Sequence, residues 1–222
     1  MSICYPVALD LTDRRCLLVG GGAIADGKVD GLLAAGARLT IVSPTVTQRI
    51  ATLADAGRLT LHRRPYQTDD VTGAFLVIAA TDDRATNALI ARDGRTIGAL
   101  VNAVDDPPNC DFFAVSIVRR GDLQIAVSTN GRSPAFARWL RERLDTDIPE
   151  AYGPLLDVLA DARQALRTIG PIPPYESWQA AITDDVLAAI ERGDDASARS
   201  RILDQLATPA ATATSALEGG NG

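Results

Sequence analysis

The chain has 222 residues, 46% of them hydrophobic, with 22 basic and 28 acidic side chains and a formal net charge of −6. That size supports one large or two small domains with a true core, and the negative balance argues against nucleic acid as the main partner. No apolar run approaches the ~20 residues of a membrane span, and Asp10, Asp13, Arg14 and Arg15 interrupt any signal-peptide core. Three widely spaced cysteines, Cys4, Cys16 and Cys110, fit a reducing cytoplasm better than a disulfide framework.

Residues 7–11 and 15–19 read as strands joined by a turn. The second runs straight into Gly20, Gly21 and Gly22, then Ala23, Ile24 and Ala25 at the start of a helix spanning 23–35. Gly20, Gly22 and Ala25 have the spacing of a dinucleotide fingerprint: a tight turn, a close backbone approach to a pyrophosphate, and a small residue where helix meets strand. Unpaired N–H groups and the helix dipole favour an anion there. Gly36 stops the helix. A buried strand (38–42) ends at Ser43-Pro44, a polar helix covers 47–55, and a short strand covers 59–62. Strands at 75–80 and 100–104 flank a helix around 84–93. This rhythm predicts an α/β fold with an open, Rossmann-type parallel sheet, which binds ligands at the carboxyl ends of its strands. The glycine turn, Ser43, Thr81, Asp82 and Asp105 fall on that edge.

After residue 111 the pattern changes. Strands are expected at 112–118 and 123–128 around the turn Arg120-Gly121-Asp122, then the polar loop Ser128 to Arg132. A helix follows with Ser133 as N-cap and Pro134 at its first position. From Glu150 the chain is helical, broken by Gly170-Pro171-Ile172-Pro173-Pro174, with two shorter helices beyond. Residues 208–222 show no periodicity and read as a disordered tail.

Four segments carry a family likeness: LLVGGGAIADGKVDGLLAAGARLTIVSPT (17–45), Ala79-Ala80-Thr81-Asp82-Asp83, Val101-Asn102-Ala103-Val104-Asp105, and AVSTNGRSPAFARWLRERL (126–144). Together they resemble the N-terminal module of siroheme synthase, which also occurs alone as precorrin-2 dehydrogenase and, in some members, sirohydrochlorin ferrochelatase. The resemblance implies an NAD-binding Rossmann domain (1–111), a small α+β dimerisation domain (112–147) and a helical domain (148–207). It implies a homodimer that oxidises the tetrapyrrole precorrin-2 to sirohydrochlorin with NAD, with ferrous iron as a second substrate in bifunctional members. Gly27 stands where the family often has arginine, and Val115 where it often has proline.

For the proton released in the oxidation, Asp105 is the candidate acceptor. It ends a strand on the ligand edge, and the family's active-site aspartate falls on it. Its alternative is a turn cap before Pro107. Gly20, Gly21, Gly22, Ala23, Ile24, Ser43, Thr81 and Asp82 are the cofactor-side candidates. Ser43 replaces the usual ribose-binding acid, so the residues themselves do not separate NAD from NADP. Asp82 and Asp83 are alternatively helix caps. Between 114 and 143 lie six arginines and two acids, a local balance of 6 − 2 = +4. Such a patch suits a carboxylate-rich tetrapyrrole, and Ser128, Asn130, Gly131 and Arg132 are the substrate-side candidates. The other reading of Arg138, Arg141 and Arg143 is a solvated helix face, and Arg132 is the better placed for function. The lone histidine, His62, and the scattered cysteines give no metal-ligand spacing, so no metal site is expected. A non-catalytic, NAD-sensing Rossmann module is the competing reading. A short-chain dehydrogenase is disfavoured because no Tyr-x-x-x-Lys pair exists and Lys28 is the only lysine.

Overall fold

The computed structural model describes residues 4–207. Five strands, β1 (Arg15–Val19), β2 (Arg38–Val42), β3 (Thr60–His62), β4 (Leu76–Ala79) and β5 (Leu100–Ala103), form a parallel sheet in the order β3-β2-β1-β4-β5. β1 is central and covered on both faces, so its apolar residues are contiguous rather than alternating with polar ones. Cys16 and Leu18 pack with Ala25, Val29 and Leu32 of α1 (Ala23–Ala34) and Ile50 of α2 (Gln48–Asp55). Leu17 and Val19 face the other way, toward Ile90 and Ala91 of α3 (Arg84–Thr96). The strand expected at 7–11 is absent. Both edges of β1 are occupied by β2 and β4, so residues 7–11 cannot pair with 15–19 as a hairpin, and Val7 lies exposed.

The chain divides into two compact units. The first holds residues up to Ala114 together with Asn130–Ser133; the second holds Val115–Thr129 and the chain from Pro134 onward. In the second, β6 (Ser116–Arg120) and β7 (Leu123–Val127) form an antiparallel hairpin, followed by α4 (Pro134–Asp147), α5 (Tyr152–Arg167), α6 (Tyr175–Ala181), α7 (Asp184–Glu191) and α8 (Asp195–Ala207). Among the described residues three helices, not two, follow the proline-rich break, because Gly193 at φ +74° separates the last pair. Leu155, Val158, Val186, Ile190 and Ile202 centre this core. The tail expected at 208–222 lies outside the described residues.

Two glycines fix the ligand edge of the sheet. Gly20 has φ +118°, and a Cβ there would stand 2.3 Å from the Ala80 carbonyl oxygen; a Cβ on Gly21 would stand 2.2 Å from that of Thr45. The turn after β1 is thus pressed against the ends of β4 and of the loop after β2. Gly20→Ala is expected to destabilise the protein by roughly 2–6 kcal/mol, combining positive-φ strain with overpacking. Urea denaturation monitored by circular dichroism reads this out, and a midpoint equal to wild type would contradict it.

Candidate functional site

Gly22 differs from its neighbours. It is the N-cap of α1 at φ −80°, and a Cβ there would meet nothing within 4 Å among the described residues. Nothing in the fold itself requires glycine at this position, so the side that stays clear is the side on which a ligand would lie. The next residues, Ala23 and Ile24, open α1 with exposed side chains. Free N–H groups of a first helical turn beside open space form an anion site, and a dinucleotide's pyrophosphate fits that cradle.

Beyond it lies a cleft of about 390 Å³ whose walls include Ile24, Ala80, Thr81, Asp82, Asn87 and Asp105. Thr81 is held by Asn87. The Asn87 carbonyl accepts from the Thr81 N–H (3.1 Å) and hydroxyl (2.7 Å), and its amide donates to the Thr81 carbonyl (3.0 Å). Asp83 caps α3, accepting from the N–H groups of Ala85 and Thr86 at 3.1 Å each. The Thr86 hydroxyl, followed by those N–H groups, holds the Asp83 carboxyl below the usual carboxylate range. The two adjacent acids therefore part company: Asp83 is the cap, and Asp82 lines the cleft.

Asp105 follows β5 in a left-handed conformation, φ +58°. Its side chain is exposed and has no hydrogen-bond partner among the described residues, so it caps no turn. Asp106 instead accepts from the Asn109 amide at 2.8 Å. The loop carrying Asp105 is fastened at its far end. Asp111 accepts from the Val101 N–H (3.0 Å) and from Arg95 Nε and Nη2 (3.0 and 2.9 Å). Asn102 donates to the Phe112 carbonyl at 2.9 Å, and the Cys110 thiol to the Ala103 carbonyl at 3.0 Å. Burial pushes the Cys110 thiol up from its ordinary range, which suits packing rather than reactivity.

Ser43 is buried and donates to the Thr45 carbonyl at 2.7 Å, bracing the loop that presses on Gly21. Asn130 (φ +55°) and Gly131 (φ +74°) form a left-handed pair; the Asn130 carbonyl accepts from the Cys4 N–H at 2.9 Å, and Gly131 lies over the Phe113 ring. Arg132 is exposed and makes no ion pair among the described residues. These three belong to the first unit, whereas Ser128 follows β7 in the second. The arginine-rich stretch is mostly neutralised. Arg120 is buried and donates to the Asp145 carboxylate and to the Asp145 and Ile148 carbonyls, a structural role in place of the substrate-attracting patch expected. Arg138 pairs with Glu142, Arg141 with Glu142 and Asp145, and Arg143 with Asp147. Asp145 and Asp147 fall just outside the window that gave +4. Asn87 and the Arg95–Asp111 pair escaped sequence reasoning, although an asparagine on the apolar stripe of α3, in step with Ile90 and Ala91, is a signal.

Comparison with known proteins gives a consistent result. A family model for NAD(P)-binding proteins matches residues 7–116, and one for the central part of sirohaem biosynthesis proteins matches residues 120–146. Siroheme synthase of Methylococcus capsulatus is 44% identical over 168 residues, covering 76% of this chain and 35% of that protein. The chain is thus similar both to siroheme synthases and to a precorrin-2 dehydrogenase. Siroheme synthase 1 of Aeromonas salmonicida is 37% identical over 196 residues, covering 87% of this chain and 42% of that protein. The solved structure of SirC, precorrin-2 dehydrogenase, superposes with a TM-score of 0.72 at 28% identity, over 90% of this chain and all of that one. The chain spans less than half the length of these synthases. The break between the two family models, after residue 116, lies close to the Ala114–Val115 boundary between the compact units. No helix among the described residues is long and apolar enough to cross a membrane.

Proposed function

We propose that the chain is an NAD-dependent precorrin-2 dehydrogenase, forming sirohydrochlorin in siroheme biosynthesis. The observation that carries this reading is the open cradle at Gly22 leading into a cleft walled by Thr81, Asp82 and Asp105. NAD, when bound, supplies the hydride acceptor. The N–H groups of residues 22–24 hold its phosphates, Thr81 and Asp82 line the adjoining wall, and Ser43 braces the β2 end. An Asp105 carboxylate oxygen takes the proton that leaves the macrocycle. Arg132 and its loop meet substrate carboxylates. A non-catalytic sensing module has no use for an unbonded carboxylate held in the cleft. The same Asp105 oxygen would accept macrocycle N–H protons if ferrous iron is inserted into the product.

We assign the cytoplasm to this chemistry on its free cysteines, and keep 112–147 as a dimerisation segment distinct from the helices at 148–207. Among the residues of α4 only Ala137 is buried, while Phe136 and Trp139 stack at 5.7 Å and remain about half exposed. An aromatic pair of that kind fits a self-complementary interface, and light scattering at micromolar concentration is expected to give a dimer mass.

Gly22→Asp should remain folded, because the position is unstrained and aspartate is a good N-cap. It should nevertheless lose NAD binding by calorimetry, since its carboxylate repels the pyrophosphate; unchanged affinity would contradict the cradle. Asp105→Asn keeps shape and hydrogen bonding but removes the proton acceptor. Turnover of precorrin-2 with NAD should fall about 10²–10⁴-fold, and wild-type turnover would move the base elsewhere.

A further inference from the structure

Lys28, the chain's only lysine, is not used by the reading above. It lies one helical turn beyond Ile24 on α1, so the two share a face, and Ile24 is a wall of the cleft. Side chains on a helix lean toward its N-terminus, which leads the lysine stem back toward Ile24. The side chain is half-buried, yet among the described residues it makes neither a hydrogen bond nor an ion pair. Its ammonium stands in the fields of the Asp105 carboxylate and the Cys110 thiol without touching either. Burial draws Lys28 below the ordinary lysine range, and Asp105, then Cys110, act against that.

An ammonium on a half-buried side chain with no direct partner among the described residues is free to receive an anion. A lysine lays its stem along apolar surface and carries its ammonium to a polar rim, and the acidic group acting on Lys28 is Asp105. We propose that Lys28 is a substrate-binding residue whose ammonium receives a carboxylate of the tetrapyrrole at the α1 wall, beside Asp105. The inference rests on the tetrapyrrole reading and deepens it. An anchor at this point holds one edge of the macrocycle next to the proton acceptor. It also offsets the repulsion between Asp105 and an incoming polyanion. Arginine at this position would keep the charge, whereas methionine would keep the stem and remove it.

The test uses Lys28→Met and Lys28→Arg, with thermal melting to check folding. For Lys28→Met, the KM for precorrin-2 and the Kd for a carboxylate-bearing porphyrin, followed by fluorescence quenching, should each rise at least tenfold. The loss should fall in KM rather than kcat, and Lys28→Arg should recover most of the affinity. A methyl-esterified porphyrin, lacking carboxylates, should bind wild type and Lys28→Met alike. Because Lys28 is the only lysine, acetylation mapped by peptide mass should modify it in the free protein and spare it when the carboxylate porphyrin is bound. Unchanged KM and Kd in Lys28→Met, or equal losses for the esterified porphyrin, would overturn the proposal. If wild type turns over precorrin-2 while Lys28→Met keeps its KM, only the anchor falls. If wild type binds neither precorrin-2 nor the porphyrin, the enzymatic reading falls with it.

Discussion

The close approach of the β1 turn to the ends of β4 and the β2 loop is the constraint on which the rest of the site depends. With 2.3 and 2.2 Å between a hypothetical Cβ and the carbonyls of Ala80 and Thr45, only glycine closes that corner. Once closed, the corner brings the first turn of α1, the Thr81 edge and the β5 loop around one cleft at the point where strand order reverses. That is where an open parallel sheet offers a crevice. Gly20 and Gly21 are thus demanded by the fold, whereas a Cβ on Gly22 would meet no described residue.

Rigidity is distributed accordingly. Thr81 is locked by three hydrogen bonds to Asn87, and the far end of the Asp105 loop is locked by Asp111, Arg95, Asn102 and Cys110. Asp105 itself is bound by none of these. A carboxylate on a fixed, left-handed backbone but without a hydrogen-bond partner is positioned without being used up, as a proton acceptor requires. Asp83 and Asp106 illustrate the contrast. Asp83 has both oxygens engaged at the start of α3, and Asp106, which also lines the cleft, has one oxygen held by the Asn109 amide.

The strands of the sheet were legible because a parallel sheet buries both faces and writes contiguous apolar runs. The glycine turn was legible because its steric demand has few sequence solutions. The false strand at 7–11 shows the limit: Val7 and Leu9 alternate as a strand would, but pairing depends on a free edge, which local pattern does not encode. The arginine cluster failed for a similar reason. Charge counting over 114–143 omitted Asp145 and Asp147 one turn further along α4, and could not tell that Arg120 is buried against backbone carbonyls. Asn87 reaches back six residues to Thr81 and Arg95 forward sixteen to Asp111, so their partners become visible only in three dimensions. Splitting Asp82 from Asp83 likewise needed the observed helix start.

The most direct measurement is anaerobic incubation of the purified chain with precorrin-2 and NAD, recording sirohydrochlorin and NADH absorbance together. The account predicts both products in equal amounts, appearing only when substrate and cofactor are both present. A folded protein that binds NAD yet yields neither product would contradict it and return the chain to the class of nucleotide-sensing modules.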